Sequence, residues 1–175
     1  MFSDPTKIIE QSGIQAGMDI ADFGSGSGFY SLAASKALVS TGRVYAIDAQ
    51  KDLLTKMKNQ AVKEGLYNIE VIWGDLEKIG GTKLRESSID LIFICNVFFQ
   101  IENKENVVKE ALRILKTRGR IVFVDWADSF GGIGPHQKSV FKKDAAKAFF
   151  EKYGFSVERE ISAGSHHYGF IIIKM

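Results

Sequence analysis

The stretch Ala21-Asp22-Phe23-Gly24-Ser25-Gly26-Ser27-Gly28-Phe29 decides the reading of this chain. An acidic residue precedes three glycines at every second position, between an apolar run and a helical pattern. Alternating glycines at the end of a strand let the backbone turn tightly and let a ligand rest against main-chain N–H groups. Downstream, Asp48 ends a second apolar run, where a carboxylate could take the two hydroxyls of a ribose. The first expectation is therefore a loop that holds a nucleotide-like cofactor.

Outward from the loop, apolar spacing predicts alternating strands and helices. Asp4-Pro5 looks like an N-cap with proline at the first helical position, and Gly13 would close that helix. Strands are expected at 18–23, 44–47, 69–73, 89–95, 120–124, 155–161 and 168–174. Helical spacing falls on Phe29–Leu38, Leu53–Ala61, Val107–Leu115 and Ala145–Tyr153, and the segment 76–88 reads mostly as loop. Such alternation calls for an α/β fold: a Rossmann-like seven-stranded, mostly parallel sheet with an antiparallel last strand and helices on both faces. Ligands in such sheets gather at the carboxyl ends of the strands, and Gly24 to Gly28, Asp48, Asp75 and Asn96 all fall there.

The 175 residues are expected to form one domain, 1–175. A net charge of +2 argues against a dedicated nucleic-acid binder. The single cysteine, Cys95, excludes an internal disulfide and any Cys-rich metal site. Third-ligand candidates such as Asp125 and His136 exist beside the histidine pair, but at no convergent spacing, so no metal is expected. The N-terminus carries no basic-plus-apolar leader, and no apolar stretch is long enough to span a bilayer. A cytoplasmic, reducing setting with no membrane partner follows as the expectation.

The cofactor class turns on two details. The dinucleotide fingerprint needs G-x-G-x-x-G, whereas here Phe29 follows G-x-G-x-G; no Gly-Lys-Ser/Thr marks a P-loop. Asp22 would repel a phosphate and attract an ammonium, directly or through water. These residues, with Asp48 and Gly74-Asp75, resemble the class I S-adenosylmethionine-dependent methyltransferases over nearly the whole chain. The resemblance implies S-adenosyl-L-methionine as cofactor. By it, Gly24, Ser25, Gly26 and Gly28 would approach the methionine part and the ribose, with Asp22 before them and Asn96 facing the sulfonium. Asp48 would hold the ribose hydroxyls, Gly74-Asp75 would meet the adenine amino group, and Ala49 and Leu76 would flank the ring. Taken singly, Asp48 could equally be a helix cap and Asp75 a turn residue. The family's Leu-Lys-Pro-Gly-Gly turn departs here to Leu115-Lys116-Thr117-Arg118-Gly119.

On the acceptor side, Asn96-Val97-Phe98-Phe99 is faintly similar to the Asn-Pro-Pro-aromatic motif of nucleic-acid amino-methyltransferases, without its prolines. His166 and His167 would start the last strand beside Asp125, making these three the candidate catalytic residues, with an adjacent carboxylate orienting a histidine base. The alternative is a pair of histidines capping a hairpin. Phe2, Phe98, Phe99, Trp126 and Phe130 would suit an apolar or aromatic small-molecule acceptor, as in the quinone-biosynthesis-like branch that the layout resembles, although Phe98 and Phe99 could equally be packing residues at the sheet edge. Little is added to the core, so the lid would come from the N-terminal helix, the Ser129–Gln137 loop or a second subunit of a homodimer. Protein side-chain methylation and an inactive cofactor-binding module stand as the other readings.

Overall fold

The computed structural model describes residues 3–39, 41–130, 132 and 134–175. Phe2 and two positions of the expected lid, Gly131 and Ile133, lie outside the described residues.

The element order is α1 (Pro5–Ser12), β1 (Asp19–Phe23), α2 (Phe29–Ala37), β2 (Arg43–Asp48), α3 (Lys51–Lys63), β3 (Ile69–Trp73) and β4 (Ile89–Cys95). It continues with α4 (Lys104–Ile114), β5 (Leu115–Trp126), α5 (Lys143–Lys152), β6 (Phe155–Ile161) and β7 (His167–Lys174). Local chemistry sets the boundaries. Asp4 accepts the Thr6 N–H at 3.0 Å to open α1, and Gly13 closes it at φ 73°. Asn103 opens α4 by accepting the Asn106 N–H at 3.1 Å.

The sheet runs β3-β2-β1-β4-β5-β7-β6, and β7 is antiparallel to both its neighbours while the other pairings are parallel. Strand order reverses between β1 and β4, so a crevice opens at the carboxyl end of β1. Buried side chains of α1 and α2 pack with Ile20, Val44 and Phe93, and α3 packs on Ala46. Those of α4 and α5 pack on the opposite face with Phe23, Ile92, Phe123 and Phe170. Both faces being covered explains why β4 is almost continuously apolar.

One element departs from expectation. β5 begins at Leu115 rather than Arg120, because the expected turn is instead a bulge within the strand. Ile89 pairs with Leu115 while Leu91 pairs with Arg120, so the intervening residues bow out, with Arg118 at φ 61°.

The loop 76–88 is held down by a buried carboxylate. Glu110 accepts hydrogen bonds from the Gly80 N–H at 2.7 Å and from Arg113 at 2.7 and 2.9 Å, with the Thr82 hydroxyl as a further donor. Burial alone would raise its pKa, but these bonds outweigh it and hold the group at about 2. The segment that follows Asp75 is thereby fixed against α4.

Candidate functional site

The glycine loop leaves the end of β1 and is pinned to β2 at once. The N–H groups of Gly24 and Ser25 both donate to the Ile47 carbonyl, at 2.9 and 3.0 Å. Gly24 and Gly28 sit at φ 72° and 85°, a region that side chains disfavour. Their missing Cβ atoms make room for protein rather than ligand: a Cβ at Gly24 would stand 2.5 Å from Val97 Cγ2, and one at Gly28 2.2 Å from Met57 Cγ. Over Gly26, by contrast, nothing comes nearer than 3.9 Å. That middle glycine is where the loop lies open.

Asp48 ties the loop to the next helix. Its Oδ2 accepts the Gly26 N–H and its Oδ1 the Gln50 N–H, each at 2.8 Å. Each carboxylate oxygen can accept twice, so acceptor capacity is left for a pair of hydroxyls. The simple helix-cap alternative does not describe it, since Gln50 occupies the N-cap of α3.

A cavity of about 260 Å³ brings together Gly24, Asp48, Ala49, Gly74, Asp75 and Leu76, six residues expected from sequence. Val97, Gln100 and Ile101 close its other wall. Val97 belongs to the Asn96–Phe99 stretch singled out from sequence, whereas Gln100 and Ile101 were missed because they follow β4 without periodicity. Asp75 accepts the Glu77 N–H at 3.0 Å and pairs with Lys78 at 3.0 Å. The Lys78 ammonium, then the Glu77 N–H, hold its carboxyl below the usual range.

Beneath the loop, Asp22 is buried and accepts the Ser31 hydroxyl at 2.6 Å. Burial pushes its pKa up to about 6, which leaves it charged at neutral pH. Two polar atoms nearby, Ser25 Oγ and Asn96 Oδ1, are buried without a hydrogen-bond partner among the described residues. Buried polar atoms are seldom left so, and a ligand bearing an ammonium and hydroxyl groups would satisfy them. With Asp48 and the open Gly26, the donor set fits S-adenosylmethionine.

The expected orientation of a histidine by Asp125 is not seen. Cross-strand partners share a face, and Asp125 pairs with Tyr168 while Trp126 pairs with His167. Asp125 therefore faces the α4–α5 side, where Tyr168 joins the aromatic core, and His167 faces the other. The carboxylate that meets a histidine is Asp128, whose oxygens lie 3.0 and 3.1 Å from His166 Nδ1. Phe130 stacks on that same ring at 4.1 Å. His167 is buried and lies against Trp126 with ring centroids 4.2 Å apart. Of the two readings of Phe98, packing holds: it is fully buried among Phe123, Phe141, Phe149 and Phe150 and belongs to the core. Of the expected lid, Gly134 lies over the Trp126 ring so closely that a Cβ would meet it at 2.7 Å.

Asp125 has a measurable consequence for stability. Its Oδ1 accepts the Trp126 N–H at 2.9 Å, Oδ2 has no hydrogen-bond partner among the described residues, and burial raises its pKa from 3.8 to about 7. The folded state thus binds this proton more tightly than the unfolded state, and stability falls as pH rises from about 4 to about 7. Asp125→Asn keeps the acceptor for Trp126 and removes the titration. At pH 8 the variant is expected to be more stable than the wild type, by up to about 4 kcal/mol in denaturant titrations. At pH 4 the two should converge, and equal stability at both pH values would contradict the burial of this charge.

Comparison with known proteins agrees with this geometry. Residues 14–162 match the family described as a methyltransferase domain. A ubiquinone/menaquinone biosynthesis C-methyltransferase of Pseudomonas fluorescens is 27% identical over 120 residues, 68% of this chain and 46% of that protein. The Laribacter hongkongensis enzyme of the same name is 24% identical over 127 residues, 73% of this chain and 50% of its own length. The chain thus spans about half the length of these curated relatives. The crystal structure of a SAM-dependent methyltransferase from Aquifex aeolicus superposes with a TM-score of 0.89 at 28% identity, covering 99% of this chain and 91% of that one. With the glycine loop, the strand order and the cavity at the switch point, these matches show that the chain belongs to the methyltransferase domain family, as a class I S-adenosylmethionine-dependent member.

Proposed function

We propose that this domain transfers the methyl group of S-adenosylmethionine to a small, partly apolar acceptor, in the cytoplasm, as one domain spanning the chain. The observation that carries the acceptor class is the aromatic cluster at the carboxyl end of β5 and the amino end of β7. There Trp126 lies against His167, and Phe130, 48% exposed, stacks on His166. The relatives' names point the same way, since those enzymes methylate carbon in quinone biosynthesis. Among the described residues no helix is long and apolar enough to cross a membrane.

The cofactor, when bound, supplies an electrophilic methyl on a sulfonium. What remains for the protein is alignment and the exclusion of water. Asp48 would take the ribose hydroxyls, Gly26 would leave room above the loop, and Asp75 with Ala49 and Leu76 would receive the adenine. Ionised Asp22, beneath the loop, favours a cationic group above it. On the acceptor side, Trp126 and Phe130 offer apolar faces, and Gly134 lies against the Trp126 ring. A base is required only where the acceptor must give up a proton, and His166 beside Asp128 could receive it.

Incubation of the protein with methyl-labelled S-adenosylmethionine and an extract of its source cells tests the acceptor class. Label is expected in the solvent-extractable small-molecule fraction. Label confined to protein would replace this reading by side-chain methylation, and no transfer by cofactor-loaded protein would make it an inactive binding module.

A further inference from the structure

One end of the cavity is built from backbone laid on backbone. Gly74, Asp75, Leu76 and Glu77 line it. Behind them the chain turns back on itself. A Cβ on Gly74 would overlap the Gly81 carbonyl oxygen, and a Cβ on Gly81 would overlap the Asp75 carbonyl oxygen. Only glycines allow so close an approach. The segment around Gly81 is held in turn by α4. Asn103, Asn106, Glu110 and Arg113 recur at helical spacing and share one face of that helix. Asn106 Nδ2 donates to the Glu77 carbonyl at 2.8 Å. Glu110 accepts the N–H groups of Gly80 and Thr82 at 2.7 and 3.3 Å, one on either side of Gly81. Arg113, paired with Glu110, donates to the Leu84 carbonyl at 2.9 Å. Glu110 is fully buried and does not itself border the cavity. Arg113 alone would give this carboxylate an ionic partner, yet its oxygens also take the two amides that flank Gly81.

We propose that Glu110 is a positioning residue for the cofactor: by gripping the amides on both sides of Gly81 it seats that glycine on Gly74–Asp75, and so fixes where the adenine amino group is received. This rests on the methyltransferase reading above and adds a residue that acts on the cofactor without touching it. A contact group stays in place only as well as the shell behind it holds. With the grip loosened, Asp75 no longer keeps one position. The hydrogen bond that depends on its placement is then lost, while the apolar contacts of the ring with Ala49 and Leu76 remain.

The test compares S-adenosylhomocysteine with its 6-deamino analogue, in which hydrogen replaces the adenine amino group, by calorimetric titration of the full chain. Wild type is expected to bind the first about ten-fold more tightly, as one hydrogen bond to a charged acceptor provides. Glu110→Gln keeps the shape and removes the charge, and is expected to bring that ratio down to about two-fold by weakening S-adenosylhomocysteine. Thr82→Val removes one donor to Glu110 and leaves the carboxylate its other partners, so it should shift the ratio the same way by less. It decides the matter if Glu110→Gln does not fold. Val108→Ala, buried on another face of α4, is the control and should lower Tm with the ratio unchanged. Loss of folded protein removes sites for both ligands alike, so a merely structural role leaves the ratio where it was. A wild-type ratio in Glu110→Gln, or in Thr82→Val where that variant stands in, overturns the proposal. So does a wild type that binds the two ligands equally, or a Val108→Ala that moves the ratio as far. Wild-type protein that binds neither S-adenosylmethionine nor S-adenosylhomocysteine contradicts the methyltransferase reading and takes the proposal with it; binding with an unmoved ratio overturns the proposal alone.

Discussion

Asp48→Ala is expected to weaken S-adenosylmethionine binding by at least about a hundred-fold, because the side chain carries two tasks at once. Its oxygens hold the Gly26 and Gln50 N–H groups, which shape the open middle of the glycine loop and the entry to α3. Its remaining lone pairs are the acceptors proposed for the ribose hydroxyls. Hydrogen bonds to a charged group contribute roughly 1.5–3 kcal/mol each, so losing the hydroxyl contacts alone accounts for the hundred-fold figure. Asp48→Asn, which keeps one acceptor oxygen and loses the charge, should fall between. Calorimetric titration of the three proteins decides the matter, and equal affinities would remove Asp48 from the cofactor site.

The second large effect is on stability. Gly28→Ala places a Cβ 2.2 Å from Met57 Cγ, on a backbone at φ 85°. A left-handed conformation costs an ordinary residue roughly 1–2 kcal/mol, and overpacking a filled core costs about 1–3 kcal/mol more. Gly28→Ala is therefore expected to lose about 2–5 kcal/mol in urea unfolding. Met57→Ala in the same chain should restore part of that loss by clearing the space. Gly26→Ala makes the informative contrast: at φ 52° with nothing nearer than 3.9 Å, it should cost only the conformational share while reducing cofactor affinity. Matching stabilities for the Gly26 and Gly28 variants would show that the loop does not pack on α3 as described.

The helices and strands were largely legible because their signals are local. Asp4-Pro5 and Gly13 mark α1 by capping chemistry, and the uninterrupted apolar run of β4 marks a strand covered on both faces. The register of the loop with Asp48 and Asp75 was legible too, since each lies at a strand end, and the cavity brings them together. The start of β5 was not, because a bulge with a left-handed Arg118 leaves no apolar alternation to follow. Nor was the partner of each histidine. That depends on cross-strand register, which sets Asp125 against Tyr168, and on a loop conformation that carries Asp128 to His166. Phe98 stayed undecided between pocket and packing for a similar reason: its short helical turn after β4 aims the ring into the aromatic core rather than the crevice. The three glycines also proved unlike one another. Two make room for Val97 and Met57, and only Gly26 lies open where a ligand could rest.

The most direct measurement is calorimetric titration of the wild-type protein with S-adenosylmethionine and, separately, with NAD. Saturable heat with the first and none with the second is the expected result, given the missing third glycine of the dinucleotide fingerprint and the charged Asp22 beneath the loop. Binding of NAD in preference to S-adenosylmethionine, or no heat with S-adenosylmethionine, would contradict it.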